Sequence, residues 1–151
     1  MADEKKKKKP FWQNLFSKEL AMEEAQSYSE LSFFKKSKNS LIAFFLFVCA
    51  ISIGIASLGV TEDLPLDEVA IDVALYLVWL PFIYFNHRWA MFAPCLIYAV
   101  AKVFLLVEGL GSPVSHLLFL GIAISMTYKA FMAATYLKEI RKTAVNPSTF
   151  S

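Results

Sequence analysis

Three ionisable residues stand where apolar surroundings make a charge chemically unusual. Asp72 interrupts VAIDVALYLVWL, Lys102 interrupts LIYAVAKVFLLV, and Lys129 interrupts GIAISMTYKAFMAA. A charge at the centre of a bilayer span costs about 2.5–3.5 kcal/mol on insertion scales, so each needs a partner, water or a route to the interface. At the helical rise, Asp72 lies roughly 6 Å below the outer end of its segment and Lys102 roughly 10 Å below the outer end of the next. Antiparallel neighbours bring them level, and the lysine stem covers the difference. The spacing predicts an Asp72–Lys102 ion pair, with the Tyr76 and Tyr98 hydroxyls completing the hydrogen bonds. Such a pair either fixes helix register or forms a site for protons, ions or a small polar solute. Lys129 lies nearer the opposite end, where its stem can carry the amine to the interface.

Other reactive constellations are missing from the sequence. It has no glycine-rich phosphate loop, no HExxH, no nucleophile elbow and no CxxC. The expectation is a protein that is not an enzyme and needs no cofactor. Cys49 and Cys95 each sit inside an apolar run and read as small fillers. The acids Glu62, Asp63, Asp67 and Glu68 in TEDLPLDE have the ordinary chemistry of an outer loop. His87 and His116 fall on opposite sides of the membrane in the topology below, so no metal site is expected. Lys5–Lys9 form the one basic run, without an aromatic stacking platform, which argues against nucleic acid.

The elements that must position these residues are apolar helices. The chain is 57% hydrophobic and 19% charged, a balance suited to lipid rather than to a water-facing surface. Ser40–Val60 contains no charge and reaches roughly 31 Å as a helix, enough to cross a bilayer core. Further apolar segments follow at about 69–85, 90–107 and 113–137. The fold class is therefore an all-α integral membrane protein: a four-transmembrane-helix bundle over 40–142, behind an N-terminal cytoplasmic amphipathic segment within 1–39. A short tail, 143–151, ends the chain. Pro65 breaks the helix before the second span, and Pro81 is expected to kink its far half. Residues 86–89 leave room only for a hairpin between antiparallel helices. The glycines of EGLGS stop the third span, and Ser112-Pro113 fits the start of the fourth. Residues 138–142 can carry that helix beyond the membrane. Ala50, Gly54 and Ser57, with Gly121, Ser125, Ala130 and Ala134, supply small-residue faces for close helix approach.

The N-terminal tail begins with Lys5, Lys6, Lys7, Lys8 and Lys9, a run whose self-repulsion keeps it solvated. Phe11, Trp12, Leu15 and Phe16 then fall within about 140° of one another at helical spacing. An apolar face beside lysines suits the surface of an anionic membrane, each lysine adding about 1 kcal/mol. The alternative is a short helix packed on the protein itself. Ser17 is placed to cap a segment over Lys18–Leu31, with Ala21, Ala25, Tyr28 and Leu31 on one face. That face can dock another protein or cover the end of the bundle.

Charge distribution sets the expected orientation. Outside the spans, Lys and Arg number 9 in residues 1–39, 1 in 86–89 and 3 after 137, against 0 in 61–68 and 108–112. Positive residues stay in the cytoplasm, so both termini are expected there, in a multi-pass protein whose default setting is a bacterial inner membrane. The function class expected is a non-catalytic accessory, assembly or scaffold subunit. Its partners would be anionic lipids at the cytoplasmic face, a membrane protein or further copies of itself. A small oligomeric transporter or channel using Asp72 and Lys102 is the alternative, because proline-interrupted helices near charges are where such proteins bind solutes.

Overall fold

The computed structural model describes residues 16–58, 66–109 and 112–145; the side chains of residues 66–68, Asp72 and Val145 lie outside this description. The described chain is all-helical, with five α-helices: α1 Lys18–Gln26, α2 Ser37–Ser57, α3 Leu66–Tyr84, α4 Phe92–Val107 and α5 Pro113–Val145. Short 3-10 turns at Phe33–Lys35 and Arg88–Met91 precede α2 and α4. Three helical stretches, Ser37–Ser57, Arg88–Val107 and Pro113–Ala144, are long and apolar enough to cross a membrane, the pattern of a multi-pass membrane protein. The apolar part of α3, Val69–Tyr84, is shorter. It covers about 24 Å at the helical rise, against a hydrocarbon core of about 30 Å.

Local chemistry explains most boundaries. Ser17 caps α1, its hydroxyl accepting from the Leu20 amide at 3.4 Å. α1 is shorter than the expected Lys18–Leu31 because Ser27 ends it: the Ser27 hydroxyl and amide both donate to the Glu23 carbonyl, at 3.0 and 3.1 Å. The turn after α3 is a Schellman motif. Asn86 takes φ 63°, its amide donates to the Ile83 carbonyl, and the His87 amide reaches back to Phe82. Asparagine tolerates the left-handed region better than most residues, which suits it to this hairpin. Gly109 ends α4 in the same manner at φ 70°. α5 runs unbroken past the expected 113–137 through residues 138–145.

α2 lies at the centre, with α3 and α5 against it; α5 also carries α1 and α4. α3 and α4 meet chiefly through the turn at Arg88–Met91 rather than along their length. The core is aromatic where three helices meet. Phe45 of α2 is fully buried, stacks on Tyr76 of α3 at 5.6 Å and meets Tyr98 of α4 edge-on at 6.3 Å. Phe44 packs against Tyr98 at 6.0 Å. Phe45 and Tyr76 are each eight residues, about 12 Å, from the lysine-rich ends of their helices, so they meet level.

Small residues are buried at several places among the described residues, Ala123 and Ser125 of α5 and Ala90 before α4 included. Ala21 and Ala25 of α1 are buried where that helix packs on α5, and Ala130 and Ala134 of α5 are buried in the core around α2. Elsewhere Ala50 and Ser57 are exposed, and a side chain added at Gly54 or Gly121 would meet nothing within 4 Å.

Candidate functional site

The polar contacts between elements gather at the end of the bundle where α1, the start of α2, the end of α3 and the far half of α5 converge. The first turn of α2 has no cap of its own, because Lys36 precedes it in extended conformation without a side-chain bond. Glu24 of α1 supplies one from a distance, its carboxylate accepting from the Ser37 amide at 2.6 Å. A carboxylate at a helix N-terminus also meets the positive end of the helix dipole. Lys38 works in the opposite sense on α3. Its amine donates to the Tyr84 carbonyl at 2.9 Å, at the negative end of that helix. The buried Asn39 amide donates to the Phe33 carbonyl at 2.9 Å and ties α2 to the preceding turn.

Tyr28 sits between these groups. The Lys36 amine lies 4.7 Å and the Lys38 amine 5.7 Å from the centre of its ring, both within cation–π range. Lys38 also lies 5.1 Å from the Tyr84 ring. Burial and the neighbouring Glu24 carboxylate push the Tyr28 phenol up to about 12, against the opposing pull of Arg141. The Tyr28 and Ser37 hydroxyls are both buried and have no hydrogen-bond partner among the described residues. They line one narrow crevice, together with Lys38, Asn86 and the alanines of α5.

The intramembrane residues expected to form a site are arranged around the aromatic core. Tyr76 and Tyr98 are brought together by Phe45 rather than by each other. The Lys102 amine lies over the Tyr98 ring at 5.2 Å, one helical turn away on α4. Asp72 falls on α3 one turn before Tyr76; its side chain, and with it the predicted ion pair, lies outside the described residues. Lys129 is partly buried and lines a cavity of about 80 Å³ between α1 and α5, with Ser17, Leu20, Ala21, Glu24, Tyr128 and Met132. Of the residues expected at the membrane surface, Lys5–Lys9, Phe11, Trp12 and Leu15 lie outside the described residues. Phe16 is half-exposed, and its ring contacts Tyr128 of α5 at 5.4 Å.

The bracket formed by Glu24, Tyr28 and Lys38 was not foreseen from the sequence. Its one legible signal was the placement of Tyr28 on the apolar face of the expected Lys18–Leu31 segment, although the helix itself ends at Gln26. The partners are 13 and 46 residues apart in Glu24–Ser37 and Lys38–Tyr84, so no local pattern announces them. No protein-family model matches the chain, and no curated protein or solved structure matches it.

Proposed function

We propose that the chain is a non-catalytic accessory, assembly or scaffold subunit of a larger membrane complex. In this reading α2, α3, α4 and α5 form a four-span bundle with both termini in the cytoplasm. The lysine count argues for that orientation, and α3 meets its short apolar length by local thinning of the bilayer. The observation that carries the function is the bracket around Glu24, Tyr28 and Lys38. It ties α1, which packs on α5, to the start of α2 and ties α2 to the end of α3, so that the tail before it is presented from a fixed point on the membrane surface. A protein that recruits lipid or protein through its tail needs such an anchor. The aromatic packing of Phe44, Phe45, Tyr76 and Tyr98 supports the same reading, because it fills the space where a solute path within one chain would run. Asp72 and Lys102, at similar depth on neighbouring helices, then serve to set helix register.

The test is purification of the tagged chain from its native membrane in mild detergent, with co-purifying proteins identified by mass. The expected result is a membrane protein in stoichiometric amount, lost when residues 1–31 are deleted. Recovery of copies of this chain alone, with solute flux abolished by Asp72→Asn and Lys102→Met, would overturn the reading in favour of a transporter.

A further inference from the structure

The turn before α2 exposes two phenylalanines and holds them there. Phe33 is 53% and Phe34 84% exposed, and their rings meet edge-on at 5.6 Å. Apolar rings left in water forgo the free energy that burial would release. The backbone that carries them is nevertheless pinned. The Lys35 amide donates to the Ser32 carbonyl at 3.0 Å. The buried Asn39 amide donates to the Phe33 carbonyl at 2.9 Å, and the Ser40 hydroxyl is shared between the Lys36 and Phe34 carbonyls, at 3.3 and 3.4 Å. Two polar side chains of α2 thus fix a turn whose own rings stay uncovered.

What covers the pair follows from where the turn is attached. Ser37, two residues after Lys35, begins a membrane-length helix of 21 residues. At the helical rise that helix covers about 31 Å, close to the thickness of a bilayer core, so the turn lies at the edge of the core. Ser40, Ala43 and Phe47 recur at i, i+3 and i+7 and share one face of α2. Ala43 and Phe47 are exposed, so the Ser40 bond seats the Phe34 backbone over a face of α2 that is turned away from the bundle. Tyr84, whose carbonyl accepts from Lys38, marks the same level on α3 and is exposed too. Phenylalanine lacks the polar tip that keeps tyrosine and tryptophan among headgroups, so its ring favours the acyl chains just beneath. Lys35, next to the rings in sequence, is exposed and carries the charge that a lipid phosphate complements.

We propose that the Phe33–Phe34 turn is a lipid anchor. Its two rings enter the acyl-chain edge of the leaflet at the lysine-rich end, and Lys35 meets the phosphates above them. The anchor fixes the level of α1, which the turn joins to α2. The proposal rests on the functional reading above for α2 as a span, and not on the accessory role.

The experiment places a nitrobenzoxadiazole dye at Phe34→Cys in the full-length protein, reconstituted into vesicles of phosphatidylcholine and phosphatidylglycerol. The unsubstituted protein, whose Cys49 and Cys95 are buried, gives the labelling background. Phe47→Cys, labelled in the same way, reports whether α2 is in lipid. Quenching is read with iodide in the buffer and with nitroxides at two depths on the lipid chains. The expected result is a dye at position 34 about 10–15 Å from the bilayer centre, in the outer third of a core of about 15 Å half-thickness, and a dye at position 47 near the centre. In the unsubstituted protein, a phospholipid with a diazirine on its upper acyl chain should cross-link to the peptide carrying Phe33 and Phe34, which removes any bias of the dye toward lipid. Failure of that cross-link, or iodide quenching at position 34 equal to that of free dye while position 47 stays deep, would overturn the anchor and leave the span. Protection of position 34 from iodide and from both nitroxides would overturn it in favour of a covering protein surface. Water exposure at both positions would overturn span and anchor together.

Discussion

Removing the Glu24 carboxylate should loosen the start of α2 without touching that helix. The Ser37 amide donates to Glu24 at 2.6 Å, and Lys36 provides no side-chain cap in its place. Loss of a capping side chain costs about 0.5–2 kcal/mol, and a hydrogen bond to a charged group contributes about 1.5–3 kcal/mol. Glu24 is only partly buried, so water takes over some of its role and the lower part of these ranges applies. A cost of about 1.4 kcal/mol corresponds to about tenfold in a local opening equilibrium. Hydrogen exchange measured by mass spectrometry in detergent reads that quantity directly on a peptide covering the first turn of α2. Glu24→Ala should speed exchange there about tenfold. Glu24→Gln keeps a neutral acceptor and should speed it only about threefold. Glu23→Ala, one residue away and exposed, should leave the rate unchanged. If Glu24→Ala leaves the first turn protected, or Glu23→Ala exposes it equally, the long-range cap is not what holds this helix end.

Three further outcomes follow from the packing. Ala130 is 1% exposed within the core packed around α2, so Ala130→Leu should cost about 1–3 kcal/mol by overpacking, read as a lowered unfolding temperature in detergent, whereas Gly121→Leu, into open space, should not. Phe45→Ala removes the fully buried ring that joins three helices and should cost about 3–5 kcal/mol, read as a lowered unfolding temperature in detergent; Phe45→Leu should cost less. Tyr28 has a phenol raised from 10.0 to about 12, so its neutral form favours the docked state. That contribution is complete below pH 10 and is lost as pH rises through 12, so α1 should loosen across this window, and Tyr28→Phe should remove a phenolate that appears near pH 12 in an ultraviolet titration.

Much of the fold was legible because lipid-crossing helices need long apolar runs and their connections need breakers. Ser40–Val60 reads as a helix without help from context, and Asn86 and Gly109 mark their turns through conformations few other residues adopt easily. The start of α2 three residues earlier, at Ser37, was not legible, because the group that stabilises it is Glu24 on another helix. The end of α1 at Gln26 turned on a serine that satisfies the Glu23 carbonyl, a local competition that the spacing of Tyr28 and Leu31 concealed. Small residues were visible as a type but not as contacts: Ala130 and Gly54 look equally suited to close approach, yet only Ala130 is covered by a neighbour. For the candidate site, Lys102, Tyr76 and Tyr98 stand out by their types in apolar segments, and both tyrosines pack on Phe45. The Lys36–Tyr28–Lys38 group was hidden by its ordinary composition, since lysines before a span are expected from topology alone.

The position of that group has a physical reason. Between helices in lipid, apolar contact brings little net driving force, because the alternative surroundings are equally apolar. Packing and polar contacts must then fix the arrangement. The membrane-length helices turn large apolar residues outward, among them Leu96, Val100 and Leu117 at 60–67% exposed, as a lipid-facing surface requires. Side-chain hydrogen bonds join different helices at the lysine-rich end, from Glu24 to α2 and from Lys38 to α3. There, water-facing and lipid-facing surfaces meet, and a charged group can reach a helix terminus without a full desolvation cost. An arrangement joined at that end transmits any change in α1 to α2 through Glu24, and from α2 to α3 through Lys38. A ligand or partner acting on α1 is therefore placed to bias the bundle through these two bonds.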